Sequence, residues 1–270
     1  MKEKSVLVTG STDGIGKQTA LDLARMGVNV IIHGRDPQRV QTAKEEIIKR
    51  SGNNQVDTLL ADFSSLTQVK RMVEEILTRY SRLDVLVNNA GLFLFERKLT
   101  TDGLEMNFQV NYLSPFLLTN LLLPLLKESA PARIISVSSA LHSKTILDFE
   151  NLQGEKNYNG IQAYALSKLG NIYMTLELAE RLAGCGVTAN CLHPGGVDTK
   201  MLRTAMQKTG IPVEEGAAPS VYLASSPDVA ETTGKYFYHS EIGQLSEIAS
   251  DATARKKLWQ ISENLLKDYL

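Results

Sequence analysis

Short apolar runs rich in β-branched residues alternate with amphipathic segments along almost the whole chain. This alternation is typical of a parallel sheet whose strands are joined by helices. Strands are predicted at Ser5–Thr9, Val28–His33, Val56–Ala61, Leu83–Asn88, Ala132–Ser138, Val187–His193 and Lys235–Tyr238. Several of them are apolar at consecutive positions, as strands buried on both faces require. The sequence therefore predicts an α/β fold: a doubly wound parallel sheet of about seven strands with helices on both faces.

The segments between these strands carry helical periodicity. Helices are predicted at Ile15–Met26, Pro37–Ser51, Leu66–Tyr80, Asp102–Glu128, Gly160–Ala183, Val213–Ala224 and Ala252–Asp268. Pro115 should kink or divide the long fourth helix, whereas Pro37 stands in a first turn, after Asp36 as the expected N-cap. No repeat or Pro/Ser-rich linker interrupts the pattern, so a single domain over residues 1–270 is expected.

The charge balance and the cysteines exclude several classes of protein. Lys and Arg number 29 against 30 Asp and Glu, so no basic surplus exists to hold a nucleic-acid backbone. Cys185 and Cys191 are too few and too close for a disulfide framework, and they lack the neighbouring ligands of a zinc site. Both are expected to be ordinary buried thiols in a reducing compartment, and no metal is expected.

No segment predicts export or a membrane span. The apolar run that begins at Ser5 is too short for the core of a signal peptide. The longest apolar stretch, Tyr112–Leu126, is interrupted by Pro115 and Pro124 and falls short of the roughly 20 residues that cross a bilayer. A cytoplasmic protein is therefore expected.

Three glycines follow the first predicted strand, and a helix begins among them. Gly10, Gly14 and Gly16 permit a tight turn, a close approach of a diphosphate to the backbone, and close packing of the helix on the strand. The free N–H groups at the start of the helix then face the phosphates. An ordinary strand-to-helix turn also favours one or two glycines, but the position after the first strand of a βαβ unit favours nucleotide binding.

The spacing Thr9-Gly10-x-x-x-Gly14-Ile15-Gly16 resembles the short-chain dehydrogenase/reductase family. Further segments that resemble this family follow in its order: Asp62, Asn88–Gly91, Ser138–Ser139, Tyr164 with Lys168, and Pro194–Gly195. The resemblance covers roughly residues 5–240 and implies a Rossmann-type fold that binds a nicotinamide cofactor.

Other segments are similar to the retinol-dehydrogenase-like branch of that family. They are Phe108–Leu113, Ala163–Leu169 and Lys257–Trp259, together with the interval of 25 residues between Ser139 and Tyr164. Asp13 and Tyr112 depart from the branch, which more often has a small polar residue and a histidine at these positions.

The candidate catalytic residues are Asn111, Ser139, Tyr164 and Lys168. Tyr164 and Lys168 are four residues apart and would share one face of a helix, where the ammonium is expected to lower the pKa of the phenol and bring proton transfer into range. Ser139 would donate a hydrogen bond to the substrate oxygen, while Ser138 serves the backbone. A Tyr and a Lys four residues apart, taken alone, are better explained as two exposed side chains on a helix. Because this pair occurs within the ordered set of family motifs, a catalytic role is favoured.

Asn111 falls within the predicted long helix, where asparagine has a poor helix propensity. It could simply face solvent or satisfy a buried carbonyl. The resemblance instead implies a distorted backbone there, with a bound water that links Lys168 to solvent.

The resemblance also implies the cofactor-binding residues. In addition to Tyr164 and Lys168, these are Gly10, Ser11, Thr12, Asp13, Gly14, Ile15, Gly16, Arg35, Asp62, Phe63, Asn89, Ala90, Gly91, Pro194, Gly195, Val197 and Thr199. Asp62 would contact the adenine and could also cap a helix. Asn88 would stabilise the strands, while Ala90 and Gly91 let the cofactor approach. The four histidines show no metal pattern and are expected to be structural.

The residues after the second strand indicate which nicotinamide cofactor is used. NAD usually requires a carboxylate at the end of this strand, whereas NADP requires a cation for its 2′-phosphate. Gly34 leaves the carboxylate position empty, and Arg35 supplies a cation. We therefore expect NADP(H) to be preferred and NAD(H) to be usable. Arg35 could also be a solvated loop residue, and a small drift could turn Asp36 toward the ribose.

The predicted activity is an oxidoreductase that moves a hydride between the nicotinamide and a carbonyl or alcohol carbon of a small, apolar substrate. The segment Lys200–Ile211, with Met201, Leu202 and Met206, should form a lid over the pocket, and Phe93–Phe95 should add to it. The stretch Leu141–Asn159 should line or cover the same pocket.

Two other functions remain open: a catalytically idle NAD(P)-binding sensor or scaffold, and a nucleotide-sugar epimerase that uses the same Tyr-x-x-x-Lys motif. The resemblance further implies a homo-oligomer, a dimer or a tetramer, formed through the helices predicted at Asp102–Glu128 and Gly160–Ala183.

Overall fold

A single twisted sheet organises the chain in the computed structural model, which describes residues 3–206 and 209–270. Its strands are β1 (Ser5–Val8), β2 (Asn29–Gly34), β3 (Val56–Leu60), β4 (Val85–Asn88), β5 (Ala132–Val137), β6 (Val187–His193), β7 (Tyr236–Tyr238) and β8 (Glu241–Ile242). They lie in the order β3-β2-β1-β4-β5-β6-β7-β8. The pairs from β3 to β7 are parallel and only β8 is antiparallel, so the predicted doubly wound architecture is confirmed, with one short edge strand more than expected.

Helices cover both faces of this sheet. They are α1 (Gly14–Arg25), α2 (Pro37–Ser51), α3 (Leu66–Arg79), α4 (Met106–Phe108), α5 (Ser114–Glu128), α6 (Gly160–Arg181), α7 (Lys200–Met206), α8 (Val213–Ser225) and α9 (Ala252–Leu265). Helices α1, α2 and α8 pack on one face, and α3, α5, α6 and α9 on the other. Consecutive residues of β1 alternate between these two cores: Val6 and Val8 enter one and Leu7 the other. This explains why several of the strands are apolar at consecutive positions.

Local capping sets several helix ends as the sequence predicts. The Asp36 carboxylate accepts a hydrogen bond from Arg39 N–H at the start of α2, and Pro37 occupies the first turn. Helix α2 ends at Gly52, whose φ of 70° is the left-handed conformation that glycine adopts without a Cβ clash. Helix α3 is capped by Ser65, so the prediction that Asp62 could cap a helix is wrong.

The long helix predicted at Asp102–Glu128 is interrupted in the structure. It begins only at Met106, where Glu105 caps α4, and it passes through a π-helical segment at Gln109–Leu113 before α5. Pro115 lies in the first turn of α5, where its missing N–H costs little. The break therefore precedes the proline, and the wider π turn accounts for it.

Tyr112, one of the two departures from the branch pattern, is buried within the π-helical segment. Its hydroxyl lies 2.8 Å from that of Ser262, so the π-helical segment is tied to α9 on the same face of the sheet. A Cβ at Gly170 would lie 2.7 Å from the Tyr112 ring, so the glycine of α6 makes room for the larger aromatic side chain.

No helix in the described part of the chain is long and apolar enough to cross a membrane. The cytoplasmic location expected from the sequence stays a prediction.

Candidate active site

Two adjoining depressions lie at the carboxyl edge of the sheet, where ligands of doubly wound folds bind. The larger, which we name the glycine groove, has a volume of about 440 Å³ and runs over the ends of β1, β2 and β4. The smaller, which we name the apolar cavity, has a volume of about 260 Å³ and lies beside the ends of β5 and β6. Both are lined by Ile15, Ser138, Tyr164, Pro194, Thr199 and Met201. The two depressions therefore form one continuous site.

The glycine groove is lined by most of the residues that the family resemblance implied for the cofactor. They are Gly10, Thr12, Asp13, Gly14, Ile15, Gly16, Arg35, Asp62, Phe63, Asn89, Ala90, Gly91, Tyr164, Lys168, Pro194 and Thr199. The other implied residues lie elsewhere: Gly195 and Val197 line the apolar cavity, and Ser11 lines neither depression.

The turn between β1 and α1 is packed too tightly to accept side chains. Gly10 has a φ of 63°, and a Cβ there would lie 2.7 Å from the Cα of Ala90. A Cβ at Gly16 would lie 2.3 Å from the Nδ2 atom of Asn89. In this turn the Gly10 N–H donates to His33 and the Gly14 N–H donates to the Asp13 carboxylate, so the N–H groups of Ile15 and Gly16 at the start of α1 are the ones suited to a diphosphate.

Ser11 has a structural role within this turn. Its hydroxyl donates to Val8 O at 2.7 Å, and its N–H donates to His33 O at 2.9 Å. Because both donors are bound within the protein and the residue is buried, Ser11 holds the ends of β1 and β2 together beneath the groove.

The two asparagines after β4 have roles that differ from the prediction. Asn88 lies beneath the sheet edge and donates to the Thr119 hydroxyl of α5 at 2.9 Å. Asn89 stabilises the neighbouring strand end instead, because its Nδ2 atom donates to Thr9 O at 2.8 Å. The prediction that Asn88 joins the strands is therefore corrected in favour of Asn89.

His33 lies between the glycine turn and β3. Its Nδ1 atom accepts from Gly10 N–H at 3.1 Å, its Nε2 atom lies 3.1 Å from Ala61 O, and its ring stacks on Phe63 at 4.6 Å. Burial lowers the pKa of His33 to about 4, so the ring is neutral and its two nitrogens can fill these two roles. As expected from the sequence, this histidine is structural.

Charged side chains surround the outer end of the groove. Arg35 is 70% exposed and its guanidinium lies 3.8 Å from the Asp62 carboxylate. Arg39, which the sequence analysis did not single out, lies in the groove wall and is 3.1 Å from the carboxylate of Asp13. The Asp36 carboxylate is used as a helix cap, so the arginines are the groups available for an anion at this end.

Tyr164 and Lys168 project from one face of α6 into the inner end of the groove, as the sequence predicts. The Lys168 ammonium lies 5.5 Å from the centroid of the Tyr164 ring and donates to Val137 O at 3.0 Å. A Cβ at Gly91 would lie 3.5 Å from that ammonium, so this glycine also keeps the approach to Lys168 open.

The predicted lowering of the pKa of Tyr164 by Lys168 is wrong for this structure. Burial raises the pKa of Tyr164 to about 12, and the nearby Ser139 hydroxyl opposes this increase only in part. Burial also lowers the pKa of Lys168 to about 8. The ammonium lies over the face of the ring and donates to a carbonyl, and desolvation dominates the ionisation of both groups.

The two serines after β5 separate into different roles. Ser138 donates to Lys168 O at 2.7 Å, so it serves the backbone, as expected. The Ser139 hydroxyl accepts from Leu141 N–H at 3.2 Å and caps a short 3₁₀ helix at Ala140–Lys144. Ser139 lines the apolar cavity beside Tyr164, with which its hydroxyl interacts, and from this position the hydroxyl can donate to a substrate oxygen.

Asn111 lies in the π-helical segment, so the expected backbone distortion is present. Its side chain forms two hydrogen bonds with the loop after β4. Oδ1 accepts from Leu92 N–H at 2.8 Å, and Nδ2 donates to Leu92 O at 2.9 Å. Nδ2 also donates to the Ser167 hydroxyl at 3.1 Å. The side chain is therefore fully used within the protein and faces no solvent.

The predicted lid is present in part. Met201 and Leu202 of α7 line the apolar cavity, and the backbone of Ile211 pairs with Gly196 and Asp198 of the loop after β6. The side chain of Met206 lies outside the described residues.

Of the residues Phe93–Phe95 only Phe93 lines the cavity, with its ring 4.9 Å from that of Tyr164, while Phe95 is 54% exposed. Within the stretch that follows Ala140, Leu141 lines the cavity, whereas Ile146 is 79% exposed.

Two ionisable residues of the site were not assigned to it by sequence reasoning. Arg39 lies along the groove, and His193, which was expected to be structural, lines the apolar cavity. A signal existed for His193, because it is the last residue of β6 and directly precedes Pro194. None existed for Arg39, which is brought to the groove by the pitch of α2.

Among the described residues, no group of three or more His, Cys, Asp or Glu side chains could hold a metal ion.

Comparison with known proteins assigns the chain to a family. A family model described as short chain dehydrogenase matches residues 4–210. The chain belongs to this short chain dehydrogenase family, and it is an oxidoreductase that acts on alcohol or carbonyl groups.

Within the family, the chain is retinol-dehydrogenase-like. It is 42% identical to retinol dehydrogenase 14 of Mus musculus, over 97% of this chain and 86% of that protein. It is 40% identical to retinol dehydrogenase 13 of Homo sapiens, over 97% of this chain and 84% of that protein.

Solved structures agree with this assignment. An uncharacterised protein from Mycobacterium paratuberculosis matches with a TM-score of 0.82 and 30% identity, covering 98% of this chain and 94% of that one. A short chain dehydrogenase from Escherichia coli CFT073 complexed with NADPH matches with a TM-score of 0.74 and 25% identity, covering 89% of this chain and 98% of that one. The fold and the nicotinamide cofactor of the family are therefore consistent with the groove described above.

Proposed function

We propose that this protein is an NADP(H)-dependent oxidoreductase that interconverts an apolar carbonyl compound and its alcohol, with Tyr164 as the acid/base. The observation that carries the proposal is the position of Tyr164, whose side chain lines both the glycine groove and the apolar cavity. A proton donor at this junction can reach the oxygen of a substrate carbonyl group whose carbon receives a hydride from a cofactor in the groove.

The groove fits a dinucleotide. Gly10, Gly14 and Gly16 would hold the diphosphate, because their backbone approaches the groove without side chains and α1 begins there. Asp62 and Phe63 would bound the adenine, and Asn89, Ala90 and Gly91 would leave room for the middle of the cofactor. Pro194 and Thr199 would contact the nicotinamide end, with Gly195 and Val197 behind them in the cavity wall.

The overall reaction is carbonyl plus NADPH plus a proton giving alcohol plus NADP⁺, or its reverse. When bound, the cofactor supplies or accepts the hydride at the carbonyl carbon. Tyr164 gives its phenolic proton to the carbonyl oxygen during reduction and takes it back during oxidation. Ser139 donates a hydrogen bond to the same oxygen and stabilises the charge that develops on it.

Lys168 and Asn111 assist the transfer of the proton and take no part in the transfer of the hydride. The Lys168 ammonium, over the ring of Tyr164, would offset part of the cost that burial imposes on a phenolate, although burial still keeps the pKa of Tyr164 above its usual value. Asn111 holds the loop at Leu92 against the π-helical segment, and the irregular backbone there would place a water that links Lys168 to solvent.

Arg35 supports a preference for NADP(H). Its guanidinium lies in the wall of the groove at the end of β2, where a 2′-phosphate would lie, and no carboxylate occupies the position of Gly34. NAD(H) remains usable because the rest of the groove makes no distinction between the two cofactors.

The apolar walls favour a substrate with an apolar body. Ile15, Phe93, Leu141, Met201 and Leu202 surround the junction. This lining is consistent with the names of the relatives, which are retinol dehydrogenases. We also propose a homo-oligomer formed through α5 and α6, for which a monomer mass by light scattering would be contrary evidence.

A turnover assay tests the proposed function. Purified protein is mixed with NADPH and, one at a time, with retinal, aliphatic aldehydes, aromatic ketones and steroid ketones, and the loss of NADPH absorbance is followed. We expect turnover of several apolar carbonyls, and turnover of the corresponding alcohols with NADP⁺. Tight binding of NADPH without any turnover would overturn the proposal in favour of a cofactor sensor.

A further inference from the structure

His193 is an unused polar side chain in the wall of the apolar cavity. Apart from Tyr164, it is the only titratable side chain among the described residues that line this cavity. Its Nδ1 atom is buried and has no hydrogen-bond partner within the described part of the chain. The other ring nitrogen, Nε2, has no hydrogen-bond partner among the described residues and is not enclosed by them, so Nε2 is the nitrogen that a ligand in the cavity can reach.

Strand pairing places His193 opposite Ser138, which directly precedes the proposed catalytic serine. Val137 and Leu192 are paired, and Ser138 N–H donates to Leu192 O at 2.7 Å where both strands end. His193 therefore stands on the neighbouring strand directly opposite Ser138, about 5 Å away along the sheet. A small substrate whose reacting oxygen lies at Ser139 and Tyr164 brings its adjacent atoms toward His193.

The imidazole is held rigidly by the next strand. His193 pairs with Tyr238 of β7, and the two rings are stacked with centroids 5.3 Å apart and an interplanar angle of 14°. The next two residues, His239 and Ser240, form the turn of the β7–β8 hairpin, and their φ values of 50° and 62° are those of a type I′ turn. This hairpin holds Tyr238 beside His193.

His193 is uncharged at neutral pH. Burial lowers its pKa to about 4, and charges on His142 and His239 would act in the same direction. A neutral imidazole has one donor and one acceptor nitrogen, so it can pair with either a carbonyl or a hydroxyl group.

We propose that His193 binds a second oxygen of the substrate, on the carbon next to the reacting carbon. The preferred substrates are therefore apolar compounds with two adjacent oxygenated carbons, namely α-dicarbonyl and α-hydroxycarbonyl compounds. This inference rests on the proposed function and narrows it, because an apolar wall alone would accept any monofunctional ketone of the same size. His193 acts as a specificity-determining residue and takes no part in the proton transfer.

Benzil and deoxybenzoin test this proposal, because they share one carbon skeleton and differ only in the second carbonyl. The ratio of their kcat/KM values is measured with NADPH for the unmodified enzyme and for His193→Leu. We expect this ratio to fall about tenfold in the variant, because the KM for benzil rises by about ten times the factor by which the KM for deoxybenzoin changes. The greater intrinsic reactivity of benzil cancels, because it is the same for both proteins.

Two further variants serve as controls. His193→Asn retains a donor and an acceptor and should recover part of the lost ratio, and it replaces the leucine variant if that protein does not fold. His239→Asn changes a histidine that does not line the cavity, and asparagine accepts its left-handed backbone conformation. This variant should keep the original ratio. A ratio that changes less than about twofold in His193→Leu overturns the proposal.

A binding measurement separates this inference from the proposed function. The protein is labelled with carbon-13 at the Cε1 atoms of its histidines, saturated with NADPH, and titrated with each compound, the His193 signal being assigned by its loss in His193→Leu. Benzil should shift this signal and deoxybenzoin should not. If neither compound is reduced but benzil shifts the signal, the proposed function fails and the site assignment stands. Equal shifts with both compounds overturn the assignment.

Discussion

The glycine groove and the apolar cavity meet at Tyr164 but are built in opposite ways. The groove is formed by backbone: Gly10 and Gly16 leave no space for a Cβ, and the start of α1 presents N–H groups. The cavity is formed by side chains that come from β5, α6, β6 and α7, which are distant in sequence. A backbone-built surface is recognisable from short motifs, whereas a surface built from side chains depends on packing over the whole fold.

The two regions also differ in how far their ionisable side chains are exposed to solvent. The groove places Arg35, Arg39, Asp13 and Asp62 at exposed positions, where salt weakens their interactions. The junction with the cavity buries Tyr164 and Lys168, and desolvation there shifts their pKa values to about 12 and about 8. Substitutions in the groove should therefore change cofactor affinity, and substitutions at the junction should change turnover.

The largest effect is expected for Tyr164→Phe. This change removes only the oxygen that transfers the proton and keeps the ring against Phe93. We expect kcat to fall by about three powers of ten, while the dissociation constant of NADPH changes little. Steady-state kinetics and calorimetric titration measure the two quantities. Substantial remaining turnover would show that another acid supplies the proton.

Ser139→Ala should have the next largest effect, with Ser138→Ala as its matched control. Loss of the Ser139 donor removes a hydrogen bond to the developing charge, and we expect kcat to fall about a hundredfold. Loss of the Ser138 hydroxyl removes its bond to Lys168 O, which should cost about 1 kcal/mol of stability with a smaller loss of turnover. The reverse order of the two kcat values would assign the catalytic role to Ser138.

The burial of Lys168 predicts a pH dependence of stability. Its pKa is about 8 in the folded protein against a usual value of 10.5, so the unfolded chain binds more protons between these values. The free energy of unfolding should therefore rise with pH across this window, by at most about 3 kcal/mol from this group.

Urea denaturation of the unmodified protein and of Lys168→Met, at about pH 7 and about pH 10, measures this effect as a difference between the two proteins. The stability of the unmodified protein relative to the variant should increase at the higher pH, because other titrating groups contribute equally to both. A difference that stays constant with pH would mean that Lys168 keeps its ordinary pKa when buried.

Arg35→Ala tests the charged end of the groove. An exposed charge-assisted contact with the 2′-phosphate should be worth about 1.5 kcal/mol, so NADPH should bind about tenfold more weakly and NADH should be unaffected. Arg39→Ala is the control from the same wall, where the cation is already paired with Asp13. Calorimetric titration of both cofactors against all three proteins decides the matter. Tighter binding of NADH than NADPH by the unmodified protein would contradict the NADP(H) assignment.

The contrast between groove and cavity also accounts for what the sequence could predict. The doubly wound parallel sheet follows from the alternation of apolar runs and helices, and the groove follows from Gly10, Gly14 and Gly16. The role of Asn89 could not be separated from that of Asn88, because only the register of β4 decides which amide faces β1.

The pKa of Tyr164 was predicted with the wrong sign because spacing on a helix gives proximity to Lys168 but not the depth of burial. The histidine in the cavity wall was missed for a related reason, since its neighbour Tyr238 follows it by 45 residues.

Asp36→Ala should have the smallest effect. It tests whether this carboxylate caps α2 or binds the ribose of the cofactor. In the structure the side chain accepts from Arg39 N–H at 3.1 Å and caps α2, so its loss should cost about 1 kcal/mol of unfolding free energy. A carboxylate used in this way does not reach the ribose of the cofactor, and the affinity for NADH should stay the same. Thermal or urea denaturation measures the first quantity and calorimetric titration the second. If the variant instead lost NADH binding selectively and kept its stability, the Asp36 carboxylate would bind the ribose 2′-hydroxyl of NADH. The outer end of the groove would then hold one group for NADH and another for NADPH.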